Sequence, residues 1–237
     1  MKPCVVIPCY NHASTVDAVT EAAQEHCPVI VVDDGSSVPL KTLPSVIRLR
    51  LERNAGKGAA LRAGLRRAIE LGFTHAVTMD ADGQHFAADA PKFLSAALAQ
   101  PEALIVGIRD FRAARTPQAR RRSNAFSAFW FGAQTGVRLG DTLCGFRCYP
   151  LSLAQRLTVR SERFAFELEF LLRASWVGTP IVAVPVQCVY HPEHLRASHF
   201  RPLSDFARIT LMNIGLLLRM SLVPRAARVE WSYGKSK

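Results

Sequence analysis

No stretch of the chain reaches ~18 uncharged apolar residues, so no membrane-spanning helix is expected. The opening MKPCVVIP holds too short an apolar run for a secretory signal, and Pro8 breaks it. None of the six cysteines (Cys4, Cys9, Cys27, Cys144, Cys148, Cys188) stands in a CxxC or at zinc-ligand spacing, which argues against a structural zinc module. Cys4, Cys27 and Cys188 lie in or beside apolar runs, where a free thiol acts as a small hydrophobe. A reducing compartment is therefore expected in preference to a disulfide framework. There is no internal repeat and no low-complexity segment. Acidic side chains are scarce, 19 against 30 Lys and Arg, for a net charge of +11. That excess bears on partners rather than fold, and leaves nucleic acid, an anionic membrane surface and phosphorylated substrates open. Hydrophobic residues form 49% of the 237, enough for a full core, and the length suits one generous domain with at most a short appendage.

The first 110 residues alternate β-branched runs with amphipathic patterns. Strands are expected at Cys4–Pro8, Val29–Asp34, Ile47–Leu51, His75–Asp80 and Leu104–Gly107, and helices at Ser14–Glu25, Gly56–Leu71 and Ala88–Ala99. The second helix gathers Leu61, Gly64, Leu65, Ala68 and Gly72 on one stripe. Buried strands alternating with such helices predict an α/β domain around a mostly parallel sheet. Asp110–Arg122, crowded with charge around Pro117, reads as a mobile loop entering an aromatic-rich helix at about Asn124–Thr135. A short strand at Gly145–Tyr149, a helix near Phe166–Ser175 and a strand at Ile181–Val189 complete the expected core.

Ligands in open parallel sheets gather at the carboxyl ends of the strands. Three motifs fall there: Pro8-Cys9-Tyr10-Asn11, Asp33-Asp34-Gly35-Ser36 and Asp80-Ala81-Asp82-Gly83-Gln84. Grouped acids are costly unless something positive or hydrogen-bonding meets them. The Asp-x-Asp pair offers two hard oxygen ligands suited to Mg²⁺ or Mn²⁺, with positions left for diphosphate oxygens. Such a cluster specifies a metal–phosphate site before it specifies a reaction. Arg53-Asn54-Ala55-Gly56-Lys57-Gly58 has the glycines of a phosphate loop but not GxxxxGK[ST], which argues against a P-loop ATPase. Its glycines and Lys57 either approach an anion at a helix N-terminus or let the helix pack closely.

The ordered set of motifs resembles the inverting family 2 glycosyltransferases, especially the dolichyl-phosphate mannose synthase-like branch. The motifs above carry it, together with Gly107-Ile108-Arg109, Asp141-Thr142-Leu143-Cys144-Gly145-Phe146-Arg147, Phe166-Glu167-Leu168-Glu169 and Ser198-His199-Phe200-Arg201-Pro202. The resemblance implies a GT-A-type, Rossmann-like domain over residues 1–205. It implies that Pro8, Tyr10, Asn11, Val32, Asp33 and Asp34 hold the nucleotide of a UDP- or GDP-sugar, with Lys57 and Asp80-Ala81-Asp82 also at the donor. Asp80, Asp82 and Gln84 would carry the metal, and Arg109 would meet a donor or acceptor phosphate.

The implied reaction is attack of an acceptor oxygen on the anomeric carbon, with a nucleoside diphosphate leaving. A lipid monophosphate acceptor is already anionic, whereas a hydroxyl acceptor needs a general base. Asp141 ranks first as that base. Glu167 and Glu169, two apart on a helix and so about 160° apart around its axis, rank next, and only one of them faces the site easily. The other is expected to be a surface charge near the helix start. Arg147 is either a partner of Asp141 or a phosphate ligand. Arg196, Ser198 and His199, with Arg201, form a basic loop that either meets the acceptor phosphate or is simply solvated.

Ile209–Leu222 is nearly all apolar and flanked by Arg208, Arg225 and Arg228. Residues 206–237 are thus expected to form a basic amphipathic helical tail, lying on a lipid surface or packed on the domain. The expectation is a metal-dependent glycosyltransferase of lipid-phosphate acceptors, peripheral on the cytoplasmic face of a membrane. One alternative is the same fold acting on a small or polyketide-like hydroxyl acceptor. Another is a non-catalytic nucleotide-sugar-binding module. Nucleic acid is not an expected partner, because acids at the strand ends repel phosphate unless a metal intervenes.

Overall fold

Pro3–Cys9 (β1) reads PCVVIPC and is buried on both faces, as a central strand covered by helices must be. Cys4 and Val6 point into one apolar layer, and Val5 and Ile7 into the other. The structure, a computed structural model, describes residues 1–40, 45–112, 116–161, 163, 165–190, 211, 214 and 215. The expected basic loop at 196–201, and all but three positions of the 206–237 tail with the boundary before it, lie outside these residues.

β1 pairs in parallel with Val29–Asp33 (β2) on one side and His75–Thr78 (β4) on the other, and β2 pairs in parallel with Ile47–Arg50 (β3). Leu104–Arg109 (β5) and Ile181–Val186 (β7) form a second parallel pair. Arg147–Pro150 (β6) lies between β4 and β5 and runs antiparallel to both. The sheet order is β3-β2-β1-β4-β6-β5-β7. Because β6 is reversed, its first residue, Arg147, stands beside Thr78, the last of β4. The segment before β6, Asp141–Phe146, is thereby brought to the carboxyl ends of the parallel strands.

One face of the sheet carries Lys57–Glu70 (α2), Leu151–Arg156 (α5) and Ala165–Trp176 (α6). The other carries Val16–Gln24 (α1) and Ala90–Ala99 (α3). α2 lies close on the sheet because Gly64 has no side chain. A Cβ there would stand 2.4 Å from Val6 Cγ1 and 3.0 Å from Val32 Cγ2. Gly58 does the same toward α6, where a Cβ would meet the Cβ of Phe166 at 2.6 Å. That second contact sets the starts of α2 and α6 side by side. Gln118–Thr135 (α4) begins directly after Pro117, six residues before the position expected from sequence. Pro117 ends the irregular segment because proline suits the entry to a helix, where the missing N–H is not needed.

Candidate active site

At the ends of β1, β2 and β4 a cleft is lined by Pro8, Tyr10, Asp34, Lys57, Asp80, Ala81 and Asp82, joined by His12, Asn54 and Arg163. The sequence motifs therefore converge, and the turn chemistry explains how. Gly56 adopts φ +91°, a conformation other residues resist. There its N–H and that of Ala55 each donate to a different oxygen of Asp34 at 2.8 Å. Burial pushes the Asp34 carboxyl above its usual value, against the pull of those two donors.

The neighbouring carboxylate serves another purpose. Asp33 is 1% exposed and is held by Arg50, by its ion pair, and by the Ser36 N–H at 2.9 Å. Asn11 is also committed. Its N–H donates to Ser36 Oγ and its Oδ1 accepts from Ser37 N, each at 2.9 Å, which pins the β1 and β2 loops together. Val32 has no exposure and packs in the core beneath Gly64. The sequence expectation for the Asp33, Asn11 and Val32 side chains is corrected accordingly: they build the pocket's frame, while Pro8, Tyr10 and Asp34 face the cleft.

Lys57, the first residue of α2, reaches Asp80 Oδ1 at 2.6 Å and Glu167 Oε1 at 3.2 Å. Its charge, after burial's opposing effect, is held on by the two carboxylates, so its pKa lies above the ordinary lysine value. Burial alone would push Asp80 up, but Lys57, His85 and Arg109 outweigh it and the carboxyl sits below its usual value. Glu167, deeper and sharing the same ammonium, remains above its usual value because burial prevails. Gly145 closes over the trio. A Cβ there would lie 2.7 Å from Lys57 Nζ, 2.9 Å from Asp80 Oδ2 and 3.0 Å from Glu167 Oε1. Both readings of the Gly56–Gly58 stretch thus hold: the glycines serve packing, and Lys57 stands at the cleft.

Burial first, and the charge of Asp80 second, push Asp82 up to about 6. Its Oδ1 accepts the Gln84 N–H at 3.0 Å. Gln84 is 5% exposed, with its Oε1 accepting from Arg120 at 3.4 Å, and its side chain is outside the cleft lining. The three-ligand expectation therefore reduces to Asp80 and Asp82. Among the described residues no third Asp, Glu, His or Cys joins them. His85 is buried against the Phe146 ring, and burial lowers its pKa to about 4, leaving it neutral.

None of the three expected bases is disposed to accept a proton. Asp141 has no exposure. Arg109 grips it bidentately (Nε–Oδ2 2.6 Å, Nη2–Oδ1 3.0 Å), and it also takes the N–H groups of Arg109 and Leu143. Arg109 in turn reaches the Tyr190 hydroxyl at 3.1 Å. Glu169 is 3% exposed, paired with Arg173 at 2.6 Å and accepting the N–H groups of Arg160 and Ser161. It is a buried anchor of the loop before α6 and not the surface charge expected for the residue turned from the site. Glu167 is the one that faces the site, through Lys57. Arg147 is corrected on both counts. Fully buried, it donates to the carbonyls of Thr142, Cys144 and Glu167 and so ties the β6 approach to α6.

Arg163 is the cleft residue that the motif reading missed. It has φ +54° and its side chain closes against Gly56, where its charge also bears on Asp34. No pattern in an irregular stretch before a helix signals it.

The sequence profile described as Glycosyl transferase family 2 matches residues 4–157. A UDP-N-acetylglucosamine–dolichyl-phosphate N-acetylglucosaminyltransferase of Methanococcus voltae is 28% identical over 215 residues, spanning 78% of this chain and 85% of that protein. An undecaprenyl-phosphate mannosyltransferase of Micrococcus luteus is 26% identical over 206 residues, spanning 80% and 84%. Among solved structures, glucosyl-3-phosphoglycerate synthase of Mycobacterium tuberculosis, in complex with Mn²⁺, UDP and phosphoglyceric acid, superposes with a TM-score of 0.67 at 18% identity, over 94% of this chain and 79% of that one. That likeness establishes the GT-A-like fold.

Proposed function

The chain belongs to glycosyl transferase family 2, and on that premise we propose that it transfers a sugar, with inversion, from a UDP- or GDP-sugar to the phosphate of a polyprenyl- or dolichyl-type lipid. The observation that carries the reading is the cleft itself, with Tyr10 and Asp34 on one side and Asp80 and Asp82 on the other. Relatives named as dolichyl-phosphate and undecaprenyl-phosphate transferases support the acceptor class.

Asp80 and Asp82 fit a divalent cation. They are two hard oxygen donors on one bend, and the raised pKa of Asp82 marks a carboxylate pair that Lys57 only partly offsets. Mg²⁺ or Mn²⁺ bound there would offset the charge that develops on the leaving diphosphate. Glu167, through Lys57, keeps Asp80 ionised and in place. Pro8, Tyr10 and Asp34 take the base and ribose, and Arg163 adds positive charge beside them. Arg109, oriented by Asp141, is the cation for the acceptor phosphate, and Arg196, Ser198 and His199 are assigned to the same phosphate.

A phosphate acceptor also suits the state of the carboxylates. Asp141, Glu167 and Glu169 are all engaged by cations, so none is poised to deprotonate a hydroxyl. An anionic phosphate oxygen needs no such base. The hydroxyl-acceptor alternative would require one of these pairs to open, and a binding module without turnover would have no use for an ionised Asp80. No helix of the described residues is long and apolar enough to cross a membrane. The enzyme is therefore assigned a peripheral position on the cytoplasmic membrane face, where residues 1–205 form the transferase domain and 206–237 a basic amphipathic tail.

The test is nucleoside diphosphate release from a panel of UDP- and GDP-sugars, with polyprenyl phosphate in detergent and Mn²⁺ or Mg²⁺. Release that depends on the lipid, and is lost with chelator or Asp82→Ala, is expected. Release indifferent to the lipid would move the assignment to another acceptor. Folded protein that releases nothing from any donor would overturn it.

A further inference from the structure

α4 is built inside out. Its inner face buries Asn124, Ser127 and Gln134 beside Phe131. Asn124 donates to the Gly140 carbonyl at 2.8 Å and accepts from Thr142 N at 3.1 Å, and Ser127 Oγ accepts from the Thr142 hydroxyl at 2.8 Å. These polar groups hold the two sides of Asp141, so α4 is fixed to the acceptor side of the cleft. The outer face is the apolar one. Ala125, Phe129 and Ala133, spaced four apart, are exposed, Phe129 by 65%. Trp130 lies partly exposed beside them, its ring 5.3 Å from that of Phe129. A helix facing water shows the opposite arrangement, and an exposed aromatic face beside a functional site marks a contact surface.

Charge identifies what it contacts. The 18 residues of α4 include Arg120, Arg121 and Arg122 and no Asp or Glu. All three arginines sit near the helix N-terminus, where the backbone dipole disfavours cations. Arg120 turns inward to Gln84 and over the Tyr190 ring, at 5.2 Å from its centroid. Arg121 and Arg122 are exposed at the end of the aromatic face. Exposed aromatics with flanking arginines match the boundary between acyl chains and anionic head groups.

We propose that the outer face of α4 seats the enzyme on an anionic lipid bilayer, with Phe129 and Trp130 in the interface and Arg121 and Arg122 on the head groups. The choice of a lipid surface rests on the lipid-phosphate reading above. Seated in this way, the helix sets the Arg109–Asp141 side of the cleft toward the membrane, from which such an acceptor must be drawn. The site is distinct from the C-terminal stretch that sequence alone marks as amphipathic.

Flotation of the full chain with phosphatidylglycerol–phosphatidylcholine vesicles, against phosphatidylcholine alone, tests the proposal. Wild type is expected to partition to the anionic vesicles with a blue shift of tryptophan emission that Trp130→Phe removes. Phe129→Glu should weaken partitioning by about tenfold, and Arg121→Ala and Arg122→Ala by about fivefold each at low salt. Unchanged melting temperature and Mn²⁺–UDP or Mn²⁺–GDP affinity in these variants would show that the fold and cleft are intact. Partitioning that Phe129→Glu leaves unchanged overturns the proposal, even if the protein binds vesicles through another segment. A shift from dimer to monomer in Phe129→Glu, with vesicle binding untouched, also overturns it and makes the face an interface between copies. Vesicle binding needs no turnover, so lipid glycosylation in detergent with α4 variants that bind vesicles normally sinks this inference alone. Normal α4-dependent binding without any glycosylation sinks the proposed acceptor alone.

Discussion

Lys57 stands between two carboxylates, and what it does there decides how the site behaves without a metal. Lys57→Gln would leave Asp80 and Glu167 facing each other with no cation between them. Removing one partner of a buried ion pair costs about 3 kcal/mol. We expect the variant to melt at a lower temperature, and Mn²⁺ to raise its melting point more than that of wild type, as a new cation takes over the offset. An equal Mn²⁺ shift in both proteins, read by scanning calorimetry, would separate Lys57 from the metal site. Asp82 supplies a pH dependence. With its pKa raised to about 6, the ionised form that a cation needs is lost as the pH falls through that value. Between ~pH 7.5 and ~pH 5.5, competition by one proton weakens Mn²⁺ binding about fourfold. Titration calorimetry at the two pH values checks this, and a constant affinity would remove Asp82 from the ligand set. Asp80, Asp82, Asp34 and Tyr10 were legible in the sequence because each sits in a short motif at a strand end. The Lys57–Glu167 link, the Asp141–Arg109 clamp and Arg163 were not, because partners 110, 32 and 107 residues apart (Lys57 to Glu167, Arg109 to Asp141, Gly56 to Arg163) leave no local pattern.

At the level of elements, periodicity told strands and helices apart wherever a face was apolar. The α2 stripe through Leu61, Gly64 and Leu65 is the clearest case, and it carries a packing prediction. Gly64→Ala places a methyl 2.4 Å from Val6 Cγ1. Overpacking of that kind costs about 1–3 kcal/mol, partly offset by the better helix propensity of alanine. A fall in melting temperature of about 2–4 °C per net kcal/mol is expected, and a stabilised variant would mean that α2 stands farther from the sheet. Where periodicity failed, it failed for physical reasons. α4 hides its polar face, so its first turns read as a charged loop up to Arg122. β6 is apolar on both faces whichever way it runs, so its reversal beside β4 could not be read from composition. α5 is only six residues long, below the window in which a helical period shows.

For the molecule as a whole, the two apolar layers decide the chemistry of its thiols. All six cysteines are free and buried, divided between the core clusters on the two faces of the sheet. Burial pushes Cys4, Cys9, Cys144 and Cys148 up to about 12, and raises Cys27 and Cys188 as well. The thiolate is the nucleophile, so at neutral pH almost none is available, and the sulfur is out of reach as well. The sequence indicated this through apolar neighbours for Cys4, Cys27 and Cys188. It did not for Cys9 and Cys144, which border the cleft motifs and become buried only when the β1 end and the Asp141–Phe146 segment fold over them. Native protein treated with a disulfide-forming chromogenic thiol reagent should therefore react only as fast as it unfolds. Six thiols should appear at once in guanidinium. Addition of Mn²⁺ with the nucleoside diphosphate should slow the native reaction further, because ligand bound only to the folded state lowers the unfolded population. A rapid native burst of one thiol or more would mean that a cysteine-bearing segment opens without global unfolding, and would place Cys9 or Cys144 at a mobile edge of the cleft in place of a packed core.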